Sequence, residues 1–284
     1  MKYNLKTSKI LIVGLGLIGG SYAEGLSKKG YDVSAIDPCQ DSLDYAFKKG
    51  IIKTGSTKVE KDFVEQFDLI IFCLYPHVFK QWIKDYGKYI KDGALITDVT
   101  GVKRAVIDDI QSALNPTVEF VAHHPMAGRE SSGVQNSDSS VFNGANFIVT
   151  PTDKNTKDAV DAVKELGFSR ISELSPQTHD EMIGFLSQLT HCIAVSLMTC
   201  KDPVHLVDYT GDSFRDLTRI AKINENMWPE LFCLNKDLLL EQMDLFSDQF
   251  NKLKKAIAED DFETQKEMMK LSTENRSYFD KKRG

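Results

Sequence analysis

Two stretches of this chain carry residue types whose spacing can do chemistry. The first is Gly14-Leu15-Gly16-Leu17-Ile18-Gly19, with Asp37 lying 21 residues after Gly16. In that spacing the first glycine permits a tight turn and the second leaves room for a pyrophosphate against the backbone. The third lets a helix close on a strand. The helix opening there offers unpaired N–H groups and the positive end of its dipole to phosphate oxygens. Gly14, Gly16, Leu17, Ile18 and Gly19 are therefore candidate cofactor-binding residues. Asp37 can accept hydrogen bonds from a ribose 2′- and 3′-hydroxyl pair and would repel a 2′-phosphate. No arginine follows it in Asp37-Pro38-Cys39-Gln40, so the expected cofactor is NAD rather than NADP. The second stretch is His124-Pro125-Met126-Ala127-Gly128-Arg129-Glu130. It follows an apolar run, at the carboxyl edge where open α/β sheets bind their ligands. Leu74 and Thr100, after two further runs, extend the candidate cofactor edge, while His123 reads as a structural histidine on the strand itself.

The elements that must position these residues can be read from the apolar pattern. Short apolar runs at Lys9–Val13, Asp32–Ile36, Leu69–Leu74, Ala94–Asp98, Glu119–His123 and Asn146–Thr150 alternate with amphipathic stretches at Gly20–Lys29, Asp41–Lys49, Val78–Ile90 and Val102–Leu114. Runs of about five residues separated by helices predict a parallel sheet covered on both faces. The character changes at Ser175-Pro176, where serine can cap a helix and proline suits its first turn. No strand is expected beyond it. Phe232, Leu239, Met243, Phe246, Phe250, Leu253 and Ile257 form one apolar stripe, predicting a single helix of about thirty residues. A last helix, 262–279, is begun by Asp260-Asp261. The expected fold is a Rossmann-type α/β parallel-sheet domain over 1–172 followed by an all-α domain over 173–284. The long stripe of that second domain needs a partner, which a second subunit would supply.

With 42% hydrophobic and 27% charged residues, a net charge of −6 and a pI near 5.6, the chain of 284 residues reads as soluble and globular. Such a charge argues against a nucleic-acid or anionic-membrane surface. The apolar start reads as a first buried strand rather than a signal peptide, because no small-residue cleavage site follows. No window is expected to reach the roughly 20 apolar residues that span a bilayer. Five cysteines without a C-x-x-C pair predict reduced, mostly buried thiols in the cytoplasm. No metal-ligand spacing stands out.

Three further segments accompany His124. They are Asp98-Val99-Thr100-Gly101-Val102-Lys103, then Ser187-Gln188-Leu189-Thr190-His191, then Gly211-Asp212-Ser213-Phe214-Arg215-Asp216-Leu217-Thr218-Arg219-Ile220-Ala221 with Trp228 beyond. Together with the glycine turn, this set resembles the prephenate/arogenate dehydrogenase family of tyrosine biosynthesis, over residues 9 to about 260. The resemblance implies oxidative decarboxylation of prephenate, or of arogenate, with hydride passing to NAD. It implies that His124 accepts or polarises the ring-hydroxyl proton and that Arg219 binds a substrate carboxylate. His191 would contact the side-chain end of the substrate, Trp228 would help close the pocket, and Thr100 would also touch substrate. A homodimer through the helical domain is implied, and any inhibition by tyrosine would act at the active site. No mutase segment or regulatory module is visible, so a monofunctional enzyme is expected.

The chain departs from the family pattern where Thr100-Gly101 replaces a common Gly-Ser, removing a serine hydroxyl beside the histidine. Arg129 can face substrate or pair with Glu130, and Arg219 can instead pair with Asp216 along a helix. Two other functions compete. A β-hydroxyacid dehydrogenase of similar build would need a catalytic lysine, and Lys222 sits in no matching motif. A non-catalytic NAD sensor would show no turnover.

Overall fold

A computed structural model describes residues 2–129 and 131–280. Strands β1 (Lys9–Val13), β2 (Asp32–Ile36), β3 (Thr54–Ser56), β4 (Leu69–Phe72), β5 (Leu95–Asp98) and β6 (Glu119–Phe120) form one sheet of order β3-β2-β1-β4-β5-β6. All five pairings are parallel. Helix α1 (Leu17–Lys28) follows β1, α2 (Gln40–Lys48) follows β2, and the short α3 (Lys61–Val64) precedes β4. Helices α4 (Pro76–Tyr86) and α5 (Arg104–Ala113) follow β4 and β5. Strands buried on both faces need continuous apolar runs, and β1 supplies one. Ile10 and Ile12 join Tyr22, Ala23 and Leu26 of α1 in one core, while Leu11 and Val13 join Phe79, Trp82 and Val106 of α4 and α5 in the other. That alternation is the period of a strand.

The expected strand Glu119–His123 is divided. After β6 the chain leaves the parallel sheet, and β7 (Ala122–His124) pairs antiparallel with β8 (Asn146–Thr150). Strand β8 then pairs in parallel with β9 (Arg170–Glu173), an element the sequence pattern missed, across α6 (Lys157–Glu165). A second, three-stranded sheet therefore carries the two histidines. Fully buried His123 shows why the segment is held there. Its Nε2 lies 2.7 Å from Tyr22 Oη, its Nδ1 2.6 Å from Thr97 Oγ1, and its ring stacks on Phe147.

Beyond β9 the described residues form no further strand. Helix α7 (Pro176–Ile183) begins with Ser175 Oγ accepting the Thr178 N–H at 3.1 Å. It continues through one wide π-helical turn, Gly184–Leu189, into α8 (Thr190–Thr199). This run is long and apolar enough, by length and composition, to cross a bilayer, contrary to the sequence-based expectation. Helix α9 (Asp212–Thr218) and α10 (Trp228–Leu234) follow. The predicted thirty-residue helix is broken at Asn235, whose backbone (φ −118°, ψ 27°) is not helical. Its side-chain amide donates inward to Asp180 O at 2.9 Å and Gln188 Oε1 at 2.8 Å, which turns the chain there.

Packing divides the chain into two compact units, one ending at Asn235 and one starting at Lys236. In the second, α11 (Lys236–Ala258) and α12 (Phe262–Asp280) pair as a helical hairpin. Asp260 takes a left-handed φ of 51° at the bend, and Asp261 Oδ1 accepts the Thr264 N–H to start α12. All five cysteines are unpaired, yet Cys39, Cys200 and Cys233 are exposed rather than buried, since each lies at or beside a helix end.

Candidate active site

The glycine turn sits where the strand order reverses, between β1 and β4. Gly14 has φ +95°, and a Cβ there would stand 2.6 Å from Cys73 O and 2.9 Å from Leu74 Cδ2. A Cβ on Gly19 would stand 1.8 Å from Gly14 O. Both positions therefore exclude any side chain. A Cβ on Gly16 would meet nothing within 4 Å, so the turn is open on the side where a phosphate would rest. Gly16 caps α1, whose first turn carries no acidic residue to neutralise its N–H groups. Leu17 is buried and Ile18 partly so, packing the turn from beneath. Asp37 is pinned by the Leu15 N–H at 2.7 Å and the Cys39 N–H at 2.9 Å, one on each carboxylate oxygen. Each oxygen keeps acceptor capacity for a ribose hydroxyl. These residues fit a dinucleotide.

Along the same carboxyl edge, Leu74 follows β4 and Thr100-Gly101 follow the neighbouring β5. The Thr100 hydroxyl donates to Asp98 Oδ2, as does its N–H at 3.0 Å, and these two bonds hold the turn after β5. Behind it lies a buried charge that the sequence did not reveal as such. Lys103 Nζ donates to Asp98 Oδ2 at 2.8 Å and to His123 O at 2.6 Å, with both side chains fully buried. This ammonium ties β5 to β7, and burial lowers its pKa against the pull of Asp98.

His124, half-buried at the end of β7, faces Gly101. A Cβ on Gly101 would lie 3.9 Å from His124 Cε1, 4.0 Å from Nε2 and 3.8 Å from Leu231 Cδ1. The other ring nitrogen, Nδ1, is 3.0 Å from Nε2 of His179, whose Nδ1 is 2.7 Å from Asp180 Oδ1. Asp180 is itself fixed by the Lys103 N–H at 2.9 Å and the Arg104 N–H at 2.8 Å. His179 and Asp180 are fully buried on α7 and were missed in the sequence, where they read only as the opening turn of a helix. Burial pushes the His124 imidazole well below the usual histidine range, and His179, Lys103 and His123 push it further. Burial also lowers His179, partly offset by Asp180. The arrangement favours a neutral His124 with a usable lone pair.

The remaining candidates fall in two places. His191 and Trp228 are brought together, ring centroids 3.9 Å apart, and Trp228 also lies against Phe232. His191 Nδ1 reaches Ser187 O at 2.9 Å across the π-helical turn. Gln188, in the same turn, donates to Leu231 O at 2.9 Å, locking α10 onto it. Leu231, beside Gly101, and Trp228 share α10, which links the His124 and His191 neighbourhoods. Wide turns of this kind frequently mark functional sites. Arg219 is exposed in the 3-10 turn Arg219–Ala221, on which α8 packs. Arg129 pairs with Asp138 at 3.3 Å, while Glu130 lies outside the described residues.

The nucleotide-binding domain model of prephenate dehydrogenase matches residues 22–170, and its dimerization domain model matches residues 175–271. The chain belongs to the prephenate dehydrogenase family. It is 31% identical over 270 residues to prephenate dehydrogenase of Bacillus subtilis, covering 92% of this chain and 73% of that one. It is 30% identical to cyclohexadienyl dehydrogenase of Zymomonas mobilis, covering 89% of each. In structure it is similar to prephenate dehydrogenase of Aquifex aeolicus crystallised with hydroxyphenyl propionate and NAD+. The TM-score is 0.88 at 30% identity, over 98% of this chain and all of that one.

Proposed function

We propose that this chain oxidises prephenate to 4-hydroxyphenylpyruvate with NAD, using His124 as the acceptor for the ring-hydroxyl proton. The observation that carries this reading is the His124 imidazole beside Gly101. Its Nδ1 is engaged, and no hydrogen bond among the described residues engages its Nε2. Bound NAD supplies the hydride acceptor, taking the hydrogen from the ring carbon that bears the hydroxyl. As that C–H bond breaks, the hydroxyl proton moves to His124 Nε2 and the C–O bond gains double-bond character. Loss of carbon dioxide from the opposite ring carbon returns an electron pair to the ring. The oxygen then recovers its proton from His124 as a phenol, so no proton is released overall. Aromatisation supplies the driving force, leaving the protein to position the reacting carbon and lend a base. Together these contribute several kcal/mol and roughly 10² to 10⁴ in rate respectively.

In this reading Gly14, Gly16, Leu17, Ile18, Gly19, Asp37 and Leu74 hold NAD, and residues 1–172 form its domain. Residues 173–284 supply the substrate side and the dimer. Arg219 takes a substrate carboxylate through its planar fork, His191 and Trp228 bound the side-chain end, and Thr100 shapes the edge. The helical hairpin exposes Leu245, Phe246, Phe250, Phe262 and Met269, an apolar set consistent with a homodimer. The unpaired thiols go with a cytoplasmic setting. Tyrosine, which shares the substrate's side-chain skeleton, would compete at the same site.

Purified protein with NAD and either prephenate or arogenate, followed by the absorbance of reduced cofactor, tests the proposal. Turnover with prephenate is expected, and the ratio between the two substrates sets the preference; turnover with neither overturns it. His124→Asn should lower kcat about 10² to 10⁴-fold while NAD binding persists. Arg219→Ala should act mainly on KM.

A further inference from the structure

We propose that His179 and Asp180 are positioning residues that fix His124 in its proton-accepting tautomer and share the charge when the proton arrives. The inference rests on the role given to His124 above. A contact between two neutral imidazoles needs one N–H and one lone pair, so its direction follows from the outer partner. The Asp180 carboxylate can only accept, and it lies 2.7 Å from His179 Nδ1, which must therefore carry hydrogen. Neutral His179 then has a bare Nε2, and that atom lies 3.0 Å from His124 Nδ1. His124 must donate from Nδ1, which leaves the lone pair on Nε2. This is the nitrogen that faces Gly101.

The chain of bonds also handles charge. When Nε2 takes the hydroxyl proton, the Nδ1–H can shift to His179 Nε2. The positive charge then rests on an imidazolium paired with Asp180, and the steps reverse when the phenolic oxygen reclaims its proton. The two backbone N–H bonds from Lys103 and Arg104 hold the carboxylate in register. Asn235 fixes the same turn by donating to Asp180 O. Without this relay the proton would enter a pocket that already faces the Lys103 ammonium, His123 and His179, with Asp98 engaged by Lys103 and Thr100. The missing hydroxyl at Gly101 gives the relay added weight in this chain. Among the described residues no hydrogen bond engages Nε2, and the bond that orients the ring is the one at Nδ1.

The tautomer can be measured without substrate, which separates this inference from the assigned reaction. Long-range ¹H–¹⁵N correlation on the full-length protein at neutral pH should show His124 protonated at Nδ1. A ring protonated at Nε2 would overturn the proposal whatever the enzyme turns over. In the assay with NAD, His179→Leu should lower kcat about 10²-fold or more, with KM and NAD affinity within about threefold. Its His124 signal should move to the Nε2-protonated form. His179→Gln can still accept the Nδ1–H through its amide oxygen, so it should keep the tautomer and recover part of kcat. A His179→Leu enzyme within threefold of the parent, or a Gln variant as impaired as Leu, would overturn the role. Should the Leu variant fail to fold, the parent spectrum and the Gln variant still decide.

Discussion

The glycine turn and the His124 centre are built on opposite principles. The turn is a local object. Its three glycines, the helix they open and the aspartate that follows lie within 24 residues, and what qualifies them is the absence of side chains. The His124 centre is assembled from β7, the turn after β5, and α7, with residues as far apart as Thr100 and Asp180. It works through side chains whose protons must point one way. A local backbone device leaves a spacing in the sequence, whereas a dispersed proton chain leaves only scattered polar residues.

The turn should fail by geometry, and that gives the largest expected effect. Gly19→Ala would drive its methyl to 1.8 Å from Gly14 O, a backbone atom that cannot yield without moving β1. Overpacking of this kind costs about 1–3 kcal/mol or more, so melting should fall by roughly 3–10 °C and NAD binding should be lost at least about 100-fold. Gly16→Ala, with open space around it, should keep the melting temperature and weaken only NAD binding. Calorimetry and cofactor titration on the pair check the contrast. Equal melting losses in both would show that the turn is not held by this close approach.

The histidine centre should fail by protonation. Burial lowers His123, His124 and His179, and the neighbouring Lys103 cation adds to it. The unfolded chain, with histidines near 6.5, then binds more protons than the native one once pH drops below that value. Stability is accordingly complete above about pH 6.5 and declines as pH falls through the lowered native values. The acid limb of kcat should likewise lie below the ordinary histidine range rather than within it. The turn's donors are backbone N–H groups, which do not titrate, so NAD affinity should hold over the window where kcat falls. Parallel loss of both would mean that the two regions are not separable.

The same division explains what was legible. The sheet core, Asp37, the Ser175 cap and the dinucleotide turn rest on local periodicity or spacing, and all appear where the pattern places them. The switch of His123-His124 into a second sheet was hidden, because an apolar run does not reveal which strand it will pair with. The relay was hidden for a different reason. His179-Asp180 looks like any polar first turn until Lys103 and Arg104 arrive from another helix to hold the carboxylate. The break at Asn235 was concealed by an unbroken apolar stripe, since one buried amide outweighed the pattern around it.

The smallest expected effect bears most closely on the comparison. Gly101→Ser restores a hydroxyl where the family commonly has one, and its Cβ would sit at ordinary contact distance from His124 and Leu231. The protein should therefore fold with little change in melting temperature. If His124 is already oriented through Nδ1, a second hydrogen bond adds little order, and kcat should stay within about threefold of the parent. If instead the ring is loosely held, the new bond is worth about 0.5–1.5 kcal/mol, and kcat should rise toward tenfold. Steady-state rates on this one variant distinguish a ring held from behind by His179 from one that lacks its usual support in front.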